Sequence, residues 1–354
     1  MAAQNKNTST ISRFYMPVVM LMLIFITLSV DVFGQQQCTQ KLKAAEQAYD
    51  EGRIENIPEM LAGCIDRGFT REEKIRAYKL VINAHLFNQD LNQASQKMLE
   101  FLRFNPEYVP NKNNEPAEFL SLYKKFETLP YLSLGVYGGI NFSNIAVIKP
   151  YTISSTSKTT YEHHAPGFQF GLKFSKPVYK NIELNAEPGF LRHTFRYTEE
   201  SLDFSKLTIT ENQDQIFLPI SGSFVYPIKQ WHPFISLGLS AEYLINATAT
   251  PERTYAQNTQ QPVSGTDIEL TDMRQKFNIS LFAEIGLKYK IPRGYFFLSG
   301  RYYHGLMNQV NEDKRYSNAE LNYIYYYIDD DRRLNNYAIS VGYMYMLYKP
   351  KRKK

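Results

Sequence analysis

Between residues 131 and 349 apolar side chains recur at every second position, and charge sits between them at mid-strand depth. The stretch Gly167-Phe168-Gln169-Phe170-Gly171-Leu172-Lys173-Phe174-Ser175 sets the pattern. Phe168, Phe170, Leu172 and Phe174 share one face, and Gln169, Gly171, Lys173 and Ser175 share the other. A period of two is that of a β-strand. In a soluble sandwich one face would meet a core and the other would meet water. A greasy face in run after run, opposite charge, suits hydrocarbon outside and a polar lumen inside, as in a transmembrane β-barrel.

Eight such runs are expected. They are Tyr131–Asn141, Gly167–Ser175, one opening at Asn181, one ending at Tyr226, Pro233–Ile245, Met273–Tyr289, Tyr295–Gly305 and Tyr337–Leu347. Tight links at 176–180, 227–232 and 292–294 alternate with long polar stretches near 142–165, 247–271 and 307–335. The third and fourth runs read as a tall hairpin turning near Glu200–Asp203. An even strand count, short turns on one side and long loops on the other are what an outer-membrane barrel shows.

Mean hydropathy is −0.39, which excludes a bundle of membrane helices. The 27 tyrosines suit bilayer interfaces, where a ring is buried and a hydroxyl is wet. Lys6 and Arg13 precede an apolar run from Met16 to about Val30, followed by Phe33-Gly34 and Gln35. That order reads as an export signal over 1–34, cleaved after Gly34, with a retained anchor as the alternative. The net charge of +5 is mild. The basic run Lys349-Pro350-Lys351-Arg352-Lys353-Lys354 reads as a solvated tail over 350–354 that touches anionic lipid more readily than nucleic acid.

Residues 35–128 carry helical spacing. Leu42, Ala45, Ala48 and Tyr49 form one face, Gly52 ends that helix, and Asn56 and Pro58 open the next. As a hairpin these helices bring Cys38 near Cys64. In an oxidising compartment the pair bridges, and two buried thiols are the alternative. Thr70-Arg71-Glu72-Glu73 is a capping box. Behind it lie a helix filled by Ile75, Tyr78, Leu80, Ile82, Ala84 and Leu86, its partner filled by Leu91, Ala94, Met98, Leu99 and Leu102, and a last one from Pro116 carrying Phe119 to Phe126. Tyr78, Ala94, Phe101 and Pro106 fall roughly where a tetratricopeptide repeat places its landmarks. The segment is therefore TPR-like or an ordinary small bundle. The expected architecture is α+β and multidomain: signal 1–34, periplasmic helical domain 35–128, eight-stranded antiparallel outer-membrane barrel 129–349 and basic tail 350–354.

The face opposite the lipid carries Lys173, Glu183, Glu187, Glu242, Glu284, Lys288 and Arg301. Eight strands enclose a lumen that side chains nearly fill, and charges there must pair. The expectation is a salt-bridge network centred on Glu187, Glu242, Glu284 and Arg301, with a gated ion or proton path as the sharper alternative. His163-His164 has no second pair at metal-ligand spacing. Asp329-Asp330-Asp331 lacks the glycine and spaced ligands of a calcium loop. Tyr323, Tyr325, Tyr326 and Tyr327 make the last long loop an aromatic surface. His193 and His304 stand without a partner from which a catalytic triad could be named. No catalytic, cofactor or metal site is nominated.

The strand region resembles the outer-membrane barrels typified by OmpX, OmpA and PorT-like proteins of Gram-negative bacteria. The stretch from Cys38 to Leu42, Cys64 and the helix from Thr70 to Lys79 look like the periplasmic module preceding some PorT-like barrels. The resemblance implies an envelope role, with some such proteins linked to type IX secretion and gliding. The expected function is a non-enzymatic scaffold contacting outer-membrane lipid and, through 35–128, a periplasmic or outer-membrane protein, with no nucleic-acid partner. The alternatives are a lipid-modifying barrel enzyme, an adhesin or a narrow pore.

Overall fold

The structure, a computed structural model, describes residues 35–151, 157–162, 165–201, 204–255 and 261–353. The expected export signal and His163-His164 lie outside the described residues. The chain forms two compact units, one ending at Leu129 and including Tyr348–Lys354, the other spanning Pro130–Leu347.

Among the described residues the first unit holds five helices: α1 over 35–50, α2 Ile57–Asp66, α3 Arg71–Phe87, α4 Leu91–Phe104 and α5 Ala117–Tyr123. Gly52 follows α1 at φ +78°, a left-handed conformation that glycine adopts without a Cβ penalty. Asn56 is the N-cap of α2, but its side chain makes no capping bond. The capping box of α3 is complete. The Thr70 N–H donates to Glu73 Oε2 at 2.9 Å, and the Glu73 N–H donates to Thr70 Oγ1 at 3.3 Å. Asp90 caps α4 by accepting from the Gln93 N–H at 3.1 Å. Such caps contribute about 1 kcal/mol each.

The helices bury Leu42, Leu61, Ala77, Ala94, Met98, Phe101 and Phe119 in one core. Tyr78 and Phe101 rings meet across it at 5.7 Å. Cys38 and Cys64 form a disulfide, joining α1 to α2. Two expectations change here. Phe126 leaves the helical register and enters a short strand, β1 (Phe126–Glu127), because α5 stops at Tyr123. The basic tail is not simply solvated: its backbone forms β14 (Lys351–Arg352), antiparallel to β1, although both side chains stay exposed.

The second unit is built from long antiparallel strands: β2 Pro130–Lys149, β3 Ser157–Glu162, β4 Gly167–Tyr179, β5 Ile182–Ala186, β6 Gly189–Ser201, β7 Ser205–Val225, β8 Trp231–Tyr255, β11 Phe277–Ile291, β12 Gly294–Gly305 and β13 Asp331–Tyr348. Two short strands, β9 (Val263–Ser264) and β10 (Ile268–Glu269), pair on the upper part of β8. The pairings run from β2 to β4, β5 and β6, β7, β8, β11, β12 and β13, and β13 neighbours β2, so the sheet returns to its start. β5 and β6 lie in line between β4 and β7, interrupted at Glu187-Pro188. Proline has no N–H for a ladder, so the break falls where the chain cannot donate.

On β7 the odd residues from Ser205 to Val225 face in along its whole length. The outward residues change character partway. Ile216, Leu218, Ile220 and Phe224 are exposed and apolar, whereas Lys206, Thr208, Thr210, Asn212 and Asp214 above them are polar. Outward residues of β8 change at the same level, from Ile235, Leu237, Leu239, Tyr243 and Ile245 to Asn246, Thr248, Thr250 and Glu252. Ten residue steps separate Ile216 from Tyr226, about 33 Å along a strand at ~3.3 Å per residue. A tilt of about 40° reduces that to roughly 25 Å, the height of a barrel's apolar band. Toward the long loops apolar residues join the inward face, with Leu207, Ile209, Leu244, Ala247 and Ala249 in a second core.

Candidate functional site: the charged lumen

Inside the apolar band, facing β-strands bring six charged side chains together. Arg301 on β12 donates to Glu187 at 2.7 Å and lies 3.0 Å from Glu284 on β11. Lys173 on β4 reaches the other oxygen of Glu187 at 2.8 Å. One layer toward the short turns, Lys288 lies 2.5 Å from Glu183, which also accepts from Ser175 at 2.9 Å. Register explains the central pair: Glu284 and Arg301 are opposite residues of the β11–β12 ladder. Three cations and three carboxylates thus neutralise one another. Aromatic rings wall the cations, with Arg301 4.6 Å from the Phe282 centroid, Lys173 4.8 Å from Phe297 and Lys288 4.8 Å from Tyr295.

Glu242, expected at the centre of this network, is not in it. Glu284 pairs across the ladder with Ser236 of β8, and Glu242 lies six residues further along that strand. Six residues span about 20 Å, far beyond the reach of Arg301. Glu242 accepts instead from Asn278 Nδ2 at 2.8 Å.

A second charged cluster lies toward the long loops and was missed by sequence reasoning. Arg274, ahead of β11, grips Glu211 of β7 with two bonds at 2.7 and 2.8 Å and reaches Asp329 at 2.7 Å. Arg332 reaches Glu211 at 2.5 Å and Asp329 at 3.2 Å. Asp329 also accepts from the Tyr327 hydroxyl at 2.8 Å. Arg315 donates to the Asp329 carbonyl and the Asp331 carboxylate. Burial pushes the Asp329 carboxyl up, but the Arg274 and Arg332 guanidiniums outweigh it and leave it below the usual range. Asp329 and Asp331 are therefore clamped by arginines, and Asp330 accepts from the Tyr151 N–H at 2.7 Å and the Tyr161 hydroxyl at 3.2 Å. No group of three or more metal-ligating side chains occurs among the described residues.

The remaining candidates separate. His193 is buried, with Nδ1 3.0 Å from Ser143 Oγ. The His304 ring lies 6.4 Å from that of Tyr302. Of the loop tyrosines, Tyr323 and Tyr326 are exposed while Tyr325 and Tyr327 pack in the upper core, so the expected aromatic surface is half as large.

A returning antiparallel sheet with apolar side chains outside and neutralised charge inside defines a transmembrane β-barrel. The chain belongs to the family described as outer membrane protein beta-barrel domain, whose model matches residues 114–311, more than half of its length. Membership places it in the outer membrane. Among solved structures it is similar to Neisserial surface protein A, at 12% identity over 61% of this chain and 97% of that one, with a TM-score of 0.31. It is also similar to OprG from Pseudomonas aeruginosa, at 10% identity over 63% and 98%, with a TM-score of 0.36. A third is Ail, the attachment invasion locus protein of Yersinia pestis, at 12% identity over 60% and 98%, with a TM-score of 0.28. No curated protein matches.

Proposed function

We propose that this protein is a non-enzymatic scaffold of the outer membrane, made of an eight-stave barrel that anchors a TPR-like periplasmic module. The count takes β5 and β6 as one stave. The reading is carried by the neutralised lumen: six charges consume one another, and aromatic rings fill the space around them. A lumen so filled is a plug rather than a path. Function then falls to the parts outside the membrane. The helical unit has its own core and its own disulfide, as a free-standing interaction module would. The chain enters β2 at the end where the short turns lie, which suits a periplasmic position for the module. A PorT-like envelope or secretion role is consistent with that arrangement.

The test is crosslinking in cells, followed by capture through the full-length chain, compared with a chain lacking residues 35–128. Recovery of a specific envelope protein with the full chain alone supports the scaffold. Recovery of the same proteins by both chains, with the deletion leaving envelope function intact, removes its basis. Conductance in planar bilayers should stay at background. Steady single-channel openings would favour a pore.

A further inference from the structure

Between the two charged clusters, three buried amide oxygens receive no hydrogen bond from any described protein group. Gln213 Nε2 donates to Glu211 Oε1 at 2.7 Å, and Gln215 Nε2 donates to Gln213 Oε1 at 3.1 Å. A carboxylate can only accept, so Glu211 sets the direction of the first amide and, through it, the second. Gln215 Oε1 is thereby left buried without a donor. Asn278 Nδ2 is committed to Glu242 by the same logic, which leaves Asn278 Oδ1 without a donor. Gln309 Oε1 also lacks one. These three residues and Glu242 line one cavity of about 10 Å³, and none is more than 6% exposed.

Buried oxygens without donors are costly. A cavity of this size admits one small guest. A water has two protons to offer three amide oxygens and a carboxylate, whereas a cation attracts all four. Charge points the same way, because Glu242 forms no ion pair among the described residues. Arg274 also lines the cavity, but its donors go to Glu211 and Asp329. Lys276, at the edge, is more than half exposed and 4.0 Å from Asp272. One positive charge would balance Glu242, and two would leave an excess beside Arg274. Hard oxygen donors suit an alkali or alkaline-earth ion. We propose that Glu242, Gln215, Asn278 and Gln309 form a binding site for a single monovalent cation of sodium size.

The test uses the full-length chain folded in detergent, with thermal unfolding followed by circular dichroism in sodium, potassium, choline or calcium chloride at equal ionic strength. The expected result is a midpoint that rises by several degrees and saturates in sodium, at a lower concentration than in potassium, relative to choline. That rise should vanish in both Glu242→Gln and Gln309→Leu. The second variant keeps the charge and removes one oxygen, so it carries the test should the first fail to fold. Equal midpoints in sodium, potassium and choline overturn the proposal, as does a response to calcium alone or a sodium effect that survives Gln309→Leu.

Discussion

Asp214 and Ile216 project from the same face of β7, two residues apart, and stand in different solvents. Asp214 takes a two-pronged grip from Arg192 at 2.5 and 2.6 Å, a pairing suited to water or lipid headgroups. Ile216 is 55% exposed with no protein to cover it, the first rung of the apolar band. The line between them marks the edge of the apolar band on the long-loop side.

Substitutions on β8 should report that line. Leu237→Arg places a cation on the outward face inside the band and should cost about 2–4 kcal/mol. Glu252→Arg, on the same face above the band, should change stability by no more than about 0.5 kcal/mol. Urea unfolding in lipid bilayers checks the pair, and equal costs would mean that the band is misplaced.

Arg301→Met removes the cation shared by Glu187 and Glu284 and leaves both acids buried. The expected loss is about 3–5 kcal/mol. Changing Arg301, Glu187, Glu284 and Lys173 together to apolar residues should recover most of it, since Lys173 pairs with Glu187 and no orphan charge then remains. The retained folded fraction on unheated gels gives the readout.

The disulfide closes a segment with a sequence separation of 26. Its chain-entropy contribution is about 3.5 kcal/mol. Cys38→Ser with Cys64→Ser should lower helical-domain stability by about that amount and leave the barrel transition unmoved. Reductant should mimic the variant in the wild type and do nothing further to the variant.

Glu73 gives the helical unit a dependence on pH. The Thr70 N–H and then the Thr39 hydroxyl, at 2.8 Å, hold its carboxyl below the usual range. A depressed folded value means the contribution is complete above the unfolded value near ~4.3 and fades as pH falls through the folded one. Wild-type helical stability should therefore drop more between pH 6 and pH 3 than that of Glu73→Gln, measured by denaturant titration of the helical signal.

The parts legible in the sequence are those set by neighbours along the chain. The outward apolar period, the Thr70–Glu73 box and the turn at Gly52 each depend on a few adjacent residues, and each is found where expected. Glu242 was misassigned because depth along a strand depends on register, which alternation does not reveal. Arg274, Glu211, Asp329 and Arg332 come from two strands and two loops up to 121 residues apart. The only local hint was a buried-phase acid, Glu211, in a stretch expected to rise beyond the membrane.

Gly135 and Gly139 face inward where β2 meets β13. A Cβ at Gly139 would fall 2.2 Å from the Ile339 carbonyl oxygen, and one at Gly135 would fall 1.9 Å from that of Tyr343. Sliding the first strand past the last by two residues would keep every greasy side chain outward, so hydrophobicity alone cannot reject it. That slide would seat Tyr137 or Asn141 in a notch cut for a hydrogen atom. The two glycines therefore work as the wards of a lock, admitting one alignment of the closing strands and refusing those that oil and water would accept.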